Sequence, residues 1–137
     1  MLFGFRYDVL EDTSEWRTNR DNFSIDLIGG MTPDIVIRDI RDEKNPKIRI
    51  IIEVKHLAEL NYDIEDSQLI RYFLYLLCST NKKDSDIKRG LFLAAPQEWF
   101  NNQAKKEKYE YFLNTYKKIA DKFDIEIGRI LIENIVL

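Results

Sequence analysis

Cysteine and histidine are almost absent from the chain, which has one residue of each, Cys78 and His56. A single cysteine excludes an internal disulfide, and an iron-sulfur cluster needs several thiolate ligands. We therefore expect a reducing, cytoplasmic setting and no iron-sulfur cluster. Cys78 lies in an apolar run, which favours a small buried side chain over a reactive thiol, and the lone His56 is a poor candidate for a catalyst.

Long hydrophobic runs are also missing. No apolar stretch approaches the ~20 residues that span a bilayer. Charged Arg6 and Asp8 interrupt the first ten residues, so they do not resemble a signal peptide. With 45% hydrophobic and 33% charged residues, the composition is typical of a globular protein. We expect one domain over residues 1–137, with no membrane partner.

Charge is distributed unevenly along the chain. The net charge is -3, yet residues 80–123 hold ten basic and six acidic side chains. Such a segment is either a solvated surface or a region that attracts phosphate. The candidate nucleic-acid contacts within it are Lys82, Lys83, Lys88 and Arg89.

Alternation of apolar residues predicts strands over 23–27, 34–37 and 48–54, joined as an antiparallel three-stranded meander. The first twenty residues alternate near Phe5 and Val9 but also carry helix-capping residues, and we expect a short helix or an irregular lead-in there.

From Asp66 the period becomes helical, and a buried helix is expected. The residues that set this period are Leu69, Ile70, Phe73, Leu76 and Leu77.

A strand is then expected over 90–95, a long helix from Asn101 or Asn102, and a last strand over 125–136. The long helix has an apolar stripe that leaves its lysines largely outward. The lysines in question are Lys105, Lys108, Lys117, Lys118 and Lys122. Trp99 and Phe100, just before it, are expected to cover the end of the sheet rather than to stack on a base. The predicted fold class is α/β, a mixed sheet flanked by helices.

Two acids and a lysine lie where neighbouring strands begin and end. Asp34 opens one apolar run, and Glu53 and Lys55 close the next. Residues two apart in a strand share a face, so Glu53 and Lys55 lie side by side. Carboxylate oxygens suit Mg²⁺ or Mn²⁺, and a metal ion can activate water for phosphodiester hydrolysis. We expect Asp34, Glu53 and the backbone carbonyl of Val54 to be the metal ligands, with Lys55 next to the attacking water or the phosphate.

The combination of Pro33-Asp34 with Glu53-Val54-Lys55, nineteen positions apart, resembles the PD-(D/E)xK nuclease superfamily. That resemblance implies a restriction-endonuclease-like core and metal-dependent DNA cleavage that leaves a 5′-phosphate. Gln68 and Tyr72 form the Q-x-x-x-Y pattern of RecB-type members, which makes Gln68 a catalytic helper and Tyr72 a supporting contact.

The superfamily often carries one more acidic ligand on a first helix. Glu11 or Glu15 could serve here, and Asp26 competes with them; a solvated charge is the alternative for each.

The expected function is therefore metal-dependent hydrolysis of DNA, structure-selective or nonspecific, since a small chain offers little surface for reading bases. A homodimer is a candidate assembly because stand-alone junction resolvases of the superfamily act as dimers. The alternative is a noncatalytic adaptor or DNA-binding subunit of the same fold. No phosphate-binding loop of a helicase is present in the sequence.

Overall fold

A computed structural model describes residues 5–11, 33–44, 46–55, 66–78, 89–122 and 130–137. Five strands and three helices lie within these ranges. The strands are β1 (Tyr7–Glu11), β2 (Ile35–Asp39), β3 (Lys47–Val54), β4 (Arg89–Ala95) and β5 (Ile130–Val136). The helices are α1 (Asp66–Cys78), α2 (Gln97–Asn101) and α3 (Gln103–Lys122). The predicted α/β class, a mixed sheet with helices, is confirmed. None of the described helices is long and apolar enough to cross a membrane.

The five strands form one sheet in chain order. β1, β2 and β3 are antiparallel, whereas β3, β4 and β5 run parallel. The parallel strands therefore all end at the same side of the sheet, where β2 begins. We call this side the upper edge and define it by Asp34 and Val54.

The first strand of the meander is not the one predicted. It is β1, and the expectation of a helix or irregular lead-in is wrong for Tyr7–Glu11. The predicted strand over 23–27 lies outside the described residues. β1 is the outermost of the described strands on its side, and its alternate side chains are exposed, so its apolar signal is weak. An ion pair between Asp8 and Arg38 joins it to β2.

The hydrophobic core lies between one face of the sheet and helices α1 and α3. Val36, Ile51, Leu91 and Leu93 form the sheet side of this core. We call this face of the sheet, which is covered by the two helices, the helix-side face. The α1 residues Leu69, Phe73 and Leu76 are buried on it, as predicted, whereas Ile70 and Leu77 are half-buried. The Phe73 ring meets the Tyr116 ring of α3 edge-on, with centroids 4.9 Å apart.

Lys105 is buried, and its predicted outward position is wrong. Only 1% of the residue is exposed, and its Nζ lies 5.8 Å from the centroid of the Trp99 ring. The attraction between a cation and an aromatic face favours this position. Trp99 itself is fully buried, in agreement with a covering role rather than base stacking.

Arg89 is also buried, which excludes the predicted contact with nucleic acid. Its Nη1 donates to the carbonyl oxygen of Leu76 at 3.0 Å, and 4% of the residue is exposed. Leu76 lies in the last turn of α1, where carbonyl groups have no partner within the helix. Arg89 therefore fastens the end of α1 to β4.

Replacing Arg89 with methionine removes this charged donor and leaves the Leu76 carbonyl buried. We expect Arg89→Met to lower the free energy of unfolding by about 1–3 kcal/mol, measured by denaturant titration. Arg71→Met is the matched control, because Arg71 is exposed on the same helix. An equal loss in the two variants would contradict the capping role.

Candidate active site

Asp34 and Glu53 meet on the helix-side face at the upper edge. Ile35 pairs with Ile52, so the preceding Asp34 stands opposite Glu53. Directly opposed residues of antiparallel strands project to the same face. Glu53 lies under α1 and is 4% exposed, whereas Asp34 is half-buried.

A hydrogen bond to the backbone fixes the Asp34 carboxylate. Its Oδ2 accepts the backbone N–H of Val54 at 2.8 Å. The next N–H, that of Lys55, points the other way and donates to the carbonyl oxygen of Ala94 on β4 at 2.8 Å. In an extended strand the N–H and C=O of one residue point to the same side. The carbonyl oxygen of Val54 is therefore directed toward the Asp34 side, where a third oxygen ligand would have to lie.

Lys55 brings a positive charge to the two acids. Its Nζ lies 3.9 Å from Oε1 of Glu53, and the two side chains are 15% and 6% exposed. Lys55 follows the last residue of β3, so its side chain lies at the rim of the sheet rather than in the core. The predicted proximity of acid and lysine is thus present in the structure.

Burial is the main reason why the pKa of Glu53 is raised to about 8. The hydrogen bond to Asp34 and the negative charge of Asp34 raise this pKa further, whereas Lys55 and a hydrogen bond with Tyr72 lower it. Without a cation the site therefore favours a protonated Glu53 that shares its proton with Asp34. Such strong perturbation is common where a protein prepares a functional site.

Tyr72 is fully buried on α1 and bonds to Glu53. For Tyr72 the sequence predicted only a supporting contact, as the Q-x-x-x-Y pattern implies, and not a bond to Glu53. Burial raises the pKa of Tyr75, and the positive charge of Arg49 partly opposes that rise, so Tyr75 lies toward Arg49. The helix thus runs from Glu53 at the upper edge toward Arg49. Gln68, one turn before Tyr72, belongs to the part of α1 nearer the upper edge, and its side chain lies outside the described set.

The structure does not bring Glu11 to the pair of acids. Glu11 ends β1, is exposed and pairs with Ile35, so alternation puts it on the face opposite Asp34. Other candidates lie outside the described residues: Glu15, Asp26, His56, Lys82, Lys83 and Lys88. Within the described ranges no group of three acidic, histidine or cysteine side chains could hold a metal ion.

The donor set nevertheless suits a hard divalent cation. Mg²⁺ is commonly held by one or two carboxylates and keeps several waters. Asp34 and Glu53 offer two carboxylates, and Val54 offers a carbonyl oxygen. A cation bound among them would offset the repulsion between the two negative charges. The hydrogen bond that orients Asp34 was not predicted from the sequence. The order of residue types does not show which backbone N–H groups of β3 lack a strand partner at the point where β2 begins.

The raised pKa of Glu53 has a consequence for stability. Between about pH 4.5 and pH 8 the unfolded chain has lost this proton while the folded chain retains it, so stability falls as the pH rises. We expect Glu53→Gln to be more stable than the native protein at pH 8 without metal, by about 2–4 kcal/mol, and the difference to shrink toward pH 4.5. Denaturant titrations across this range provide the measurement. Exposed Glu133→Gln is the control, and a pH-independent difference for Glu53→Gln would contradict the assignment.

Comparison with known proteins finds no match to the chain among family models, curated proteins or solved structures. The functional proposal is therefore based on the side chains and the geometry of the upper edge.

Proposed function

We propose that this protein is a metal-dependent DNA nuclease of the PD-(D/E)xK type. The observation that carries the proposal is the contact of Asp34 and Glu53 on one face, with Lys55 beside Glu53. The restriction-endonuclease-like core belongs to the same proposal. An antiparallel meander that leads through a helix into a parallel strand supports it.

Asp34, Glu53 and the carbonyl of Val54 would hold Mg²⁺ or Mn²⁺. The metal ion would supply Lewis acidity toward the phosphate and would lower the pKa of a bound water. The hydrogen bond from Val54 N–H keeps the Asp34 carboxylate in place. Tyr72 holds the Glu53 carboxylate from the helix side. In both cases the acid is oriented before the substrate arrives, which lowers the cost of reorganisation during the reaction.

Lys55 would act on the reacting phosphate. Its ammonium group lies 3.9 Å from Oε1 of Glu53, close enough to be oriented by it, and its side chain is 15% exposed at the rim. From there it can donate to a nonbridging oxygen, which opposes the negative charge that develops on the phosphate oxygens, or hold the attacking water. Gln68, nearer the upper edge than Tyr72, is proposed to help orient that water.

The proposed substrate is DNA, cut without strong sequence preference. Base reading needs side chains that enter a groove, and a chain of 137 residues offers little surface for them. Arg89 no longer belongs to the proposed DNA contacts, since it is buried against α1. Lys82, Lys83 and Lys88 remain as candidates.

A noncatalytic DNA-binding subunit is the second proposal. It is favoured by the small number of metal-ligating groups, because the described residues hold two acids at the site and no third ligating side chain. A subunit of this kind would bind DNA and leave it intact.

Cleavage of a panel of single-stranded, duplex, flapped and four-way DNA separates the two proposals. With Mg²⁺ or Mn²⁺ we expect at least one substrate to be cut. We expect Asp34→Ala, Glu53→Gln and Lys55→Ala each to slow cleavage by about 10²-fold or more, because each removes a group from the reacting centre. Lys106→Ala is the control for Lys55→Ala, since Lys106 is exposed on α3. Binding without cleavage of any substrate would favour the subunit, and equal activity of Lys55→Ala and the native protein would contradict the assigned site.

A further inference from the structure

Four of the seven large apolar side chains that are exposed in the described part of the chain lie on β5 or directly after it. β5 is the last strand of the sheet in the described residues. Leu131 is 45% exposed, Ile135 37%, Val136 55% and Leu137 66%. Exposed apolar side chains on an edge strand are a template for pairing with another strand.

Charged side chains, above all lysine, and also proline and bulges are the common protections of edge strands against pairing. β5 has one such feature, the charged Glu133, and has no lysine, proline or bulge. β5 has the sequence ILIENIV and stays in unbroken register with β4 over its seven residues. At the other end of the described strand order, β1 is shorter than β5, with five residues against seven.

The backbone groups available on this edge can be identified. The N–H of Leu137 donates to the carbonyl oxygen of Ala95, so Leu137 points its backbone toward β4. Because these groups alternate along a strand, Ile132, Asn134 and Val136 direct their N–H and C=O away from β4. These three residues form the set that another strand can bond.

We propose that β5 pairs antiparallel with β5 of a second copy, centred on Asn134. In an antiparallel ladder the bonded residues stand opposite one another, so each of the three must face one of the same three. Centring on Asn134 sets Ile132 against Val136 of the partner subunit and Leu131 against Leu137 of the partner subunit. All three outward residues then bond. A shift of the centre to Glu133 would set two like charges opposite each other, which is destabilising.

The pairing joins two sheets of five strands into one sheet of ten. Its twofold axis is perpendicular to the sheet, so both helix layers lie on the same side. Glu53 is level with Leu93, and Leu93 is level with Asn134, so the two copies of Glu53 lie in the row that contains the axis. At five strand spacings they are roughly 24 Å apart before twist. The inference does not depend on the proposed nuclease activity.

The first test is the mass of the protein in solution. We expect twice the 16.4 kDa of the chain in sedimentation equilibrium between about 1 and 200 µM, because an interface of one strand is small and its dimer depends on concentration. Asn134→Pro removes an outward N–H and leaves the bonds to β4, so it should be a folded monomer, as edge strands tolerate proline there. Asn134→Ala keeps the N–H and should remain dimeric. A monomer throughout for the native protein, or an undiminished dimer in Asn134→Pro, would overturn the proposal.

A second variant tests the register without relying on the folding of a proline mutant. Opposed residues of a bonded pair have Cα atoms ~5.5 Å apart, which suits a disulfide. In a Cys78→Ser background, Asn134→Cys should therefore give a covalent dimer on mild oxidation. Tyr111→Cys is the control for random encounters, because Tyr111 is 61% exposed on α3. Crosslinking of the two variants at the same rate would contradict the register.

Discussion

The contact between the carboxyl groups of Asp34 and Glu53 is the constraint on which the proposed chemistry depends. Burial raises the pKa of Glu53 to about 8, and the hydrogen bond and negative charge of Asp34 add to that rise, so the two acids resist ionising together. The fold keeps them together because Val54 N–H holds Asp34 and Tyr72 holds Glu53. Burying the two acids together lowers the stability of the fold, and a bound cation would restore it. Such a local loss of stability is common at functional sites.

β3 makes this contact possible because it has a different kind of neighbour on each side. It is antiparallel to β2 and parallel to β4. The end of β3 therefore meets the start of β2, which carries Asp34, and lies beside the end of β4. Lys55 is fastened to that end by the Ala94 carbonyl. A strand with two antiparallel neighbours would bring strand starts to both of its sides at this edge, and one with two parallel neighbours would bring only strand ends.

Sequence patterns predicted the parts of the fold whose signals are local. The β-branched run of β3 and the helical period of α1 from Asp66 are present where they were expected. Proline at position 96 marks the end of β4. Proximity of Glu53 and Lys55 followed from the period of a strand alone. These features depend on neighbours within a few residues, so the sequence contains them.

Other features depend on tertiary contacts and were not predictable. Lys105 is buried with its ammonium group over the Trp99 ring, and Arg89 is buried with its guanidinium group bonded to the end of α1. Each looks like a solvated charge in the sequence. The central claim, a metal ion held by Asp34 and Glu53, is tested most directly by a crystal structure of the protein with Mn²⁺, located by its anomalous scattering. The account predicts a manganese ion about 2.0–2.4 Å from both carboxylates and from the carbonyl oxygen of Val54. A saturated crystal with no manganese at the upper edge, or with manganese bound only elsewhere, would contradict it.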